Sequence, residues 1–237
     1  MALVNYELGD GVAVVTLDDG KVNVLSSQMW AEINQALDRA EADEAVVIIT
    51  GRPGIFSGGF DLKTLRGGGQ GAELMLDAGF RTAERMLSFP NPIVAAVSGH
   101  AIAMGSFVVM SCDYRIGIDG PFKLVANEVS IGMPMPKGII ELCRLRLSPS
   151  HLSRAMSLSE PFEGRAAVEA GFLDEVVDDD ALVSRASERA AAYASLSRSA
   201  YRATKARVRE SGIAAVRAGF EADSAERSAF VRDVVNG

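Results

Sequence analysis

The feature that most limits the fold is an uninterrupted apolar run, Val46–Thr50, of sequence VVIIT. Gly51 and Pro53 follow it almost at once. A short continuous run of β-branched residues that ends in turn residues is typical of a strand buried on both faces. We therefore expect this segment in the interior of a sheet.

Strand and helix patterns alternate along the chain around this run. The N-terminal residues predict a hairpin, with strands at residues 3–8 and 12–17 joined by a Gly9-Asp10-Gly11 turn. Apolar residues recur at helical spacing over Ser27–Ala42, where Ser26 or Ser27 can cap the first turn. The other predicted elements are a helix at 72–88, strands at Ile93–Val97, Tyr114–Ile118, 122–125 and 173–177, and a helix at Met104–Ser111. This repeated order indicates an α/β fold.

A chain of 237 residues is long enough for one large domain. We expect a core over residues 1–180 and a helical region of the same domain over residues 181–237, packed on the core or on a neighbouring subunit. The glycine-rich run at residues 67–71 predicts a mobile surface loop. It is not a phosphate cradle, because no Lys-Ser/Thr pair follows it.

Composition excludes several classes of function. The net charge of -7 and the lack of a basic run argue against a nucleic-acid partner. No apolar run approaches the ~20 residues that a membrane span needs, and the N-terminus lacks the features of a signal peptide. Cys112 and Cys143 have no CxxC spacing, which fits a reduced compartment. The expectation is a cytoplasmic protein without a membrane partner.

Glu128 is the single charged residue in the segment LVANEVSIGMPMP, residues 124–136. An isolated carboxylate in apolar surroundings either caps a neighbouring element or has a raised pKa suited to proton transfer. This segment by itself favours the structural role.

Two turns rich in small residues each join a strand to a helix. In IFSGGFDL, residues 55–62, Gly58 and Gly59 expose backbone N–H groups at a helix entrance. A tight turn with Asp61 as the helix N-cap explains the same pattern. A second turn, VSGHAIAMGS at residues 97–106, offers another set of N–H groups, and two such turns can form an oxyanion hole.

The order FSGGFDL, PIVAAVSGHAIAMGS, CDYRI and NEVSIG resembles the crotonase family, the enoyl-CoA hydratase and isomerase superfamily. The resemblance spans essentially the whole chain. It implies a crotonase-like ββα spiral with C-terminal helices and an acyl-CoA thioester substrate. It also implies no separate cofactor, since coenzyme A is part of the substrate, and a homotrimer or hexamer.

The resemblance also implies residue roles. Gly58 and Met104 would donate backbone N–H groups to the thioester oxygen, although Ala103-Met104-Gly105 departs from the common Gly-Gly-Gly. Family hydratases use two glutamates, and the first of these positions is Phe107 here. Glu128 occupies the second. One carboxylate suffices to shift a double bond, so the pattern is similar to the Δ3,Δ2-enoyl-CoA isomerases of fatty-acid β-oxidation.

The substrate-binding residues implied by the resemblance lie around the same turns. They are Val22, Val24, Ser57, Gly59, Phe60, Asp61, Leu62 and Phe107. Lys21, Lys63 and Lys205 are candidates for contacts with the coenzyme A phosphates, although each is more often a solvated lysine. The acidic residues between 174 and 180 more readily end a strand and cap a helix than bind a metal, and we predict no metal site.

Two alternatives stay open, and a third is disfavoured. An enoyl-CoA hydratase requires another inward carboxylate, such as Asp61 or Glu141. A non-catalytic acyl-CoA binding protein would keep the fold without the chemistry. A Ser-His-Asp hydrolase is disfavoured, since neither His100 nor His151 accompanies a nucleophile motif, and Cys112 is expected to pack in a helix.

Overall fold

The computed structural model describes residues 2–236, with side-chain surroundings up to Glu226. The strands are β1 Val4–Gly9, β2 Val12–Leu17, β3 Val24–Leu25, β4 Val46–Thr50, β5 Gly54–Ser57, β6 Gly59–Phe60, β7 Ile93–Val97, β8 Gly99–Ile102, β9 Tyr114–Ile118, β10 Leu124–Val125 and β11 Glu175–Val177. The helices are α1 Ser27–Ala42, α2 Leu62–Gly67, α3 Gly69–Ser88, α4 Met104–Ser111, α5 Lys137–Arg144, α6 Pro149–Ser157, α7 Gly164–Ala170, α8 Leu182–Ala194 and α9 Arg198–Asn236. This confirms the predicted α/β class.

The largest sheet has the order β1-β2-β4-β7-β9-β11. Its first two strands form the predicted antiparallel hairpin, in which Gly9 pairs with Val12. The two loop residues, Asp10 and Gly11, both have positive φ angles, as a hairpin turn with the twist of its strands requires. The other neighbouring pairs in this sheet are parallel.

The side chains of β4 are buried on both faces of this sheet, as the VVIIT run predicts. Val47 and Ile49 join the main core, which contains residues of α1, α3 and α4. Val46 and Ile48 face a second cluster, where α8 contributes Leu182, Ala186 and Ala190. Continuous hydrophobicity in this strand thus reflects cover on both sides.

Helix α1 has the predicted bounds. Its apolar residues at helical spacing are the buried ones, and the Ser26 hydroxyl accepts a hydrogen bond from the Met29 N–H at 3.2 Å. This capping bond satisfies one of the first N–H groups of the helix.

Three predicted boundaries are corrected by the structure. The glycine run at 67–71 is not a loop: Gly67 ends α2, and α3 begins at Gly69. The strand predicted at 122–125 is limited to β10. The strand predicted at 173–177 begins only at Glu175, because the Leu173 N–H closes the end of α7 by donating to the Ala167 carbonyl.

The long helix α9 packs mainly against α5 and α3. The Asp223 carboxylate accepts hydrogen bonds from the N–H groups of Lys137 and Gly138, at 3.0 and 3.2 Å, and so caps the start of α5. Within residues 2–236, we find no helix with both the length and the apolar character of a membrane span.

Candidate active site

Three parallel strands, β5, β8 and β10, form a second small sheet in which β8 lies at the centre. Chain segments leaving parallel strands at their carboxyl ends meet at one edge of the sheet, which is a common position for ligand sites. Here those segments are the turn after Ser57, the Ala103-Met104 turn and the Asn127-Glu128 segment. The fold therefore brings together the three motifs that the sequence singled out.

Two backbone N–H groups of the first turn already donate hydrogen bonds within the protein. The Gly58 N–H donates to the Val22 carbonyl at 2.8 Å. The Gly59 N–H donates to the Ser57 hydroxyl at 3.1 Å, and that hydroxyl donates to the Asn23 carbonyl at 2.8 Å. In this structure the Gly58 N–H, which the sequence-based assignment gives to the thioester oxygen, therefore already has a protein acceptor.

The second turn ends at the N-terminus of α4. The N–H groups of Ser106 and Phe107 donate to the Ala103 carbonyl, whereas Met104 is the first residue of the helix. Amides at this position have no acceptor within their own helix and are suited to an anionic ligand atom. Met104 is buried, so its amide lies in a desolvated environment.

The two turns lie directly against each other. A Cβ atom added at Gly59, whose φ is +85°, would lie 2.7 Å from the Ile102 carbonyl oxygen and 3.4 Å from the Met104 nitrogen. One added at Gly105 would lie 2.6 Å from the Ser57 carbonyl oxygen. Glycine at both positions is thus required for the contact, and it places the Met104 amide beside the first turn.

Glu128 is 8% exposed, and its Oε2 atom has no hydrogen-bond partner among the described residues. Burial raises the pKa of this carboxyl to about 7, opposed only by its own backbone N–H. The Glu128 carbonyl accepts hydrogen bonds from the N–H groups of Ile131 and Met133, at 3.1 and 2.9 Å. Its backbone is therefore fixed, while one oxygen of its side chain has no partner among the described residues.

The other candidate carboxylates are engaged elsewhere. Asp61 caps α2, accepting hydrogen bonds from the Lys63 N–H and the Thr64 hydroxyl. The bond from Thr64 is the largest cause that lowers the pKa of Asp61. Glu141 pairs with Arg144 at 3.2 Å on α5. Phe107 is almost fully buried in the main core, so this position adds no acid or base.

The remaining predicted substrate residues have different surroundings. Val22 and Leu62 are large apolar side chains exposed to solvent. Val24 pairs with Gly59 across the short sheet of β3 and β6. The Phe60 ring packs edge-on against Trp30 and Phe80, with centroids 6.0 Å away in each case. Phe60 thus contributes its ring to the core and its backbone to the turn.

The three candidate lysines divide into two groups. Lys21 and Lys63 are exposed near the first turn. Lys205 is buried and forms an ion pair with Asp113 at 2.8 Å, so it is not a solvent-facing contact for a phosphate. Burial lowers the pKa of Lys205 to about 8, although the Asp113 charge opposes this.

Other reactive side chains have structural contacts. The His100 Nδ1 accepts a hydrogen bond from the Lys123 N–H at 3.0 Å, and His151 Nδ1 lies 2.6 Å from the Ser148 hydroxyl. The Cys112 thiol donates to the Val108 carbonyl at 3.3 Å, and burial is the main cause that raises its pKa to about 12. Asp174 forms an ion pair with Arg115 at 2.7 Å.

Two residues near Glu128 escaped the sequence reasoning. Asn127 has a buried Oδ1 atom without a partner among the described residues, and its place directly before Glu128 was the available signal. Cys143 is fully buried on α5, and the Glu128 charge adds to burial in raising the pKa of its thiol. No pattern in the sequence links Cys143 to Glu128, since 15 positions and a turn separate them.

Comparisons with known proteins agree on one family. Residues 7–233 match the sequence model described as "Enoyl-CoA hydratase/isomerase". The chain is 32% identical over 204 residues to a probable enoyl-CoA hydratase of Bacillus subtilis, covering 82% of this chain and 77% of that one. Its fold is similar to that of an enoyl-CoA isomerase of Mycobacterium tuberculosis, with a TM-score of 0.91, 43% identity and coverage of 95% and 99%. It is also similar to human mitochondrial delta3-delta2-enoyl-CoA isomerase, with a TM-score of 0.90, 28% identity and coverage of 97% and 92%.

Proposed function

Because the chain belongs to the enoyl-CoA hydratase/isomerase family, we propose that it converts 3-enoyl-CoA thioesters into 2-trans-enoyl-CoA. The observation that carries this proposal is the isolation of Glu128. Its carboxylate is buried and has an unpartnered oxygen among the described residues. Asp61 and Glu141 are bound elsewhere, and the family's other glutamate position is Phe107.

The reaction is a proton transfer between two carbons of the substrate. The Glu128 carboxylate removes a proton from C2, and the electrons of that C–H bond move through the carbonyl group to give a dienolate. The protonated Glu128 then returns the proton to C4, so that the double bond moves from C3 to C2. A pKa of about 7 suits a group that acts first as base and then as acid.

The negative charge on the dienolate oxygen requires hydrogen-bond donors. We assign one to the Met104 amide at the N-terminus of α4 and the other to the Gly58 amide, which would exchange the Val22 carbonyl for the substrate oxygen. Removing a single donor from such a pair typically costs ~10²–10³ in rate.

Enoyl-CoA hydratase is the second candidate, and Asn127 favours it. Its Oδ1 is buried without a partner among the described residues, and Asn127 directly precedes Glu128 in the segment after β10. A bound water needs two or more polar partners, and these two oxygens are available acceptors. In this alternative Asn127 would hold the water that Glu128 activates.

We further propose that the protein is cytoplasmic, requires no separate cofactor and assembles as a homotrimer or hexamer. Exposed apolar side chains beside the site support an assembly, because Val129 and Ile131 are 42% and 50% exposed. The Ser130 N–H donates to the Ser159 hydroxyl, which places Leu158, itself 71% exposed, near the same surface. Apolar side chains left exposed near one another are a common feature of protein interfaces.

Two substrates distinguish the candidates. Purified protein is incubated with 3-hexenoyl-CoA and, separately, with crotonyl-CoA, while the absorbance of the conjugated enoyl thioester is followed. An isomerase increases the absorbance with the first substrate and leaves the second unchanged. Rapid loss of the crotonyl-CoA absorbance would instead identify a hydratase. Binding of both thioesters without turnover would identify a non-catalytic binding protein.

A further inference from the structure

An apolar cavity of about 460 Å³ lies between α3, the segment that follows Glu128, and α9. Leu76 and Phe80 line it from α3, and residues 133–136, of sequence MPMP, line it from the segment between Gly132 and α5. Exposed Met133 is a large apolar side chain in this wall. Methionine side chains adapt to ligands of different shape.

Residues that line the cavity contact the candidate active site on two sides. The Met133 N–H donates to the Glu128 carbonyl at 2.9 Å, so this wall begins at the hydrogen-bonded turn that fixes Glu128. On the other side, the Phe80 ring packs against Phe60 of the first turn, with ring centroids 6.0 Å apart. The cavity therefore lies next to the position that an extended molecule held between Glu128 and the first turn would occupy.

The polar groups at the α9 side of the cavity bind one another. Lys137 pairs with Glu226, and the Asp223 carboxylate accepts from the N–H groups of Lys137 and Gly138. Charged groups satisfied in this way leave little for a polar ligand to bind, whereas an apolar occupant gains by leaving water. The cavity is therefore suited to a hydrocarbon chain.

We infer that this cavity binds the acyl chain of the thioester and gives the protein a preference for chains of about ten carbons or more. The inference rests on the proposed function, because it assumes an acyl-CoA ligand at Glu128. A methylene group is similar in size to a water molecule, which occupies ~30 Å³ in the liquid. The cavity volume thus provides room for on the order of ten such groups.

The test measures binding rather than turnover. Dissociation constants of hexanoyl-CoA and decanoyl-CoA are determined by calorimetry for the unmodified protein, for Leu76→Trp, which fills the cavity, and for Met133→Trp, which fills it from the opposite wall. Leu74→Trp is the matched control, since Leu74 lies on α3 but is 60% exposed and outside the cavity. Circular dichroism confirms that each variant is folded.

We expect the unmodified protein to bind decanoyl-CoA at least tenfold more tightly than hexanoyl-CoA, because four more CH₂ groups leave water. Leu76→Trp and Met133→Trp should reduce this ratio to below threefold, and Leu74→Trp should retain it. A ratio near one in the unmodified protein would overturn the inference, as would equal ratios in all four proteins. Strong chain-length selectivity in a protein that fails to isomerise 3-enoyl-CoA would refute the proposed function alone.

Discussion

Glu128 and Asp113 are both carboxylates enclosed by the protein, but their surroundings are opposite. Asp113 accepts a hydrogen bond from the Ile93 N–H and forms ion pairs with Lys205 and Arg209, each at 2.8 Å. Glu128 has one oxygen without any partner among the described residues. A carboxylate that is paired with cations in this way stabilises the packing of α9, whereas a buried carboxylate with an unpartnered oxygen is available to a substrate.

The largest expected effect is on the isomerisation rate, when the carboxylate of Glu128 is removed. Glu128→Gln keeps the size of the side chain but cannot take up a proton, so the isomerisation rate should fall by ~10²–10⁴ or more. The measurement is kcat with 3-hexenoyl-CoA. Glu141→Gln is the control, because Glu141 pairs with Arg144 on α5, and it should change kcat less than twofold. Full activity in Glu128→Gln would refute the proposed role.

Removing the Asp113 carboxylate should instead lower the stability of the protein and leave its activity intact. Asp113→Asn leaves Lys205 and Arg209 without a compensating charge, and breaking a buried pair in this way costs about 3–5 kcal/mol of stability. The free energy of unfolding is measured by urea denaturation at neutral pH. The folded fraction should still isomerise substrate.

Asp38→Asn serves as the surface comparison for that experiment. Asp38 pairs with Arg85 at 2.6 Å, but its side chain is 69% exposed. Exposed pairs contribute at most about 1 kcal/mol. Equal destabilisation by both substitutions would contradict the structural role that we assign to the Asp113 cluster.

The contrast also predicts a pH dependence. The pKa of Glu128 is raised from 4.5 to about 7 in the folded protein, so the folded state binds this proton more tightly than the unfolded chain does. Its ionisation therefore destabilises the folded state. The full destabilisation is present above pH 7, and it is absent at pH values well below 4.5. Relative to the unmodified protein, Glu128→Gln should be more stable by about 3 kcal/mol at pH 8 and similarly stable at pH 4.

The same ionisation of Glu128 that lowers stability should raise activity. Because Glu128 must be ionised to remove the C2 proton, kcat/KM should rise with pH through an apparent pKa near 7. A stability difference that does not change with pH, together with a flat activity profile, would show that Glu128 is solvated like an ordinary surface glutamate.

The smallest expected effect concerns the backbone of the second turn. Ala103 has φ +49° and ψ -121°, a conformation that glycine adopts without strain. Ala103→Gly should therefore raise the stability by about 1 kcal/mol while the Met104 amide keeps its place. Ala101→Gly, at an ordinary buried strand position, should lower stability instead. Thermal melting of both variants gives the comparison.

The sequence by itself determined the elements whose pattern is local. The VVIIT run identified β4, and the spacing of apolar residues identified α1, because burial on two faces or on one stripe leaves a periodic record in the chain. The lone carboxylate in residues 124–136 drew attention to Glu128, but the acid–base role predicted for it came from the family resemblance. The strands β5 and β8 were missed, since four residues that include a glycine carry too short a pattern.

Only the tertiary structure decided which of the candidate groups are free. The Gly58 amide is engaged by Val22, and the Lys205 ammonium by Asp113, which is 92 positions away in the chain. Neither pairing follows from local spacing, because hydrogen bonds and ion pairs depend on distance in space. Residue type and periodicity thus specified many of the elements, while the packing of distant segments determined which amides and charges remain available to a ligand.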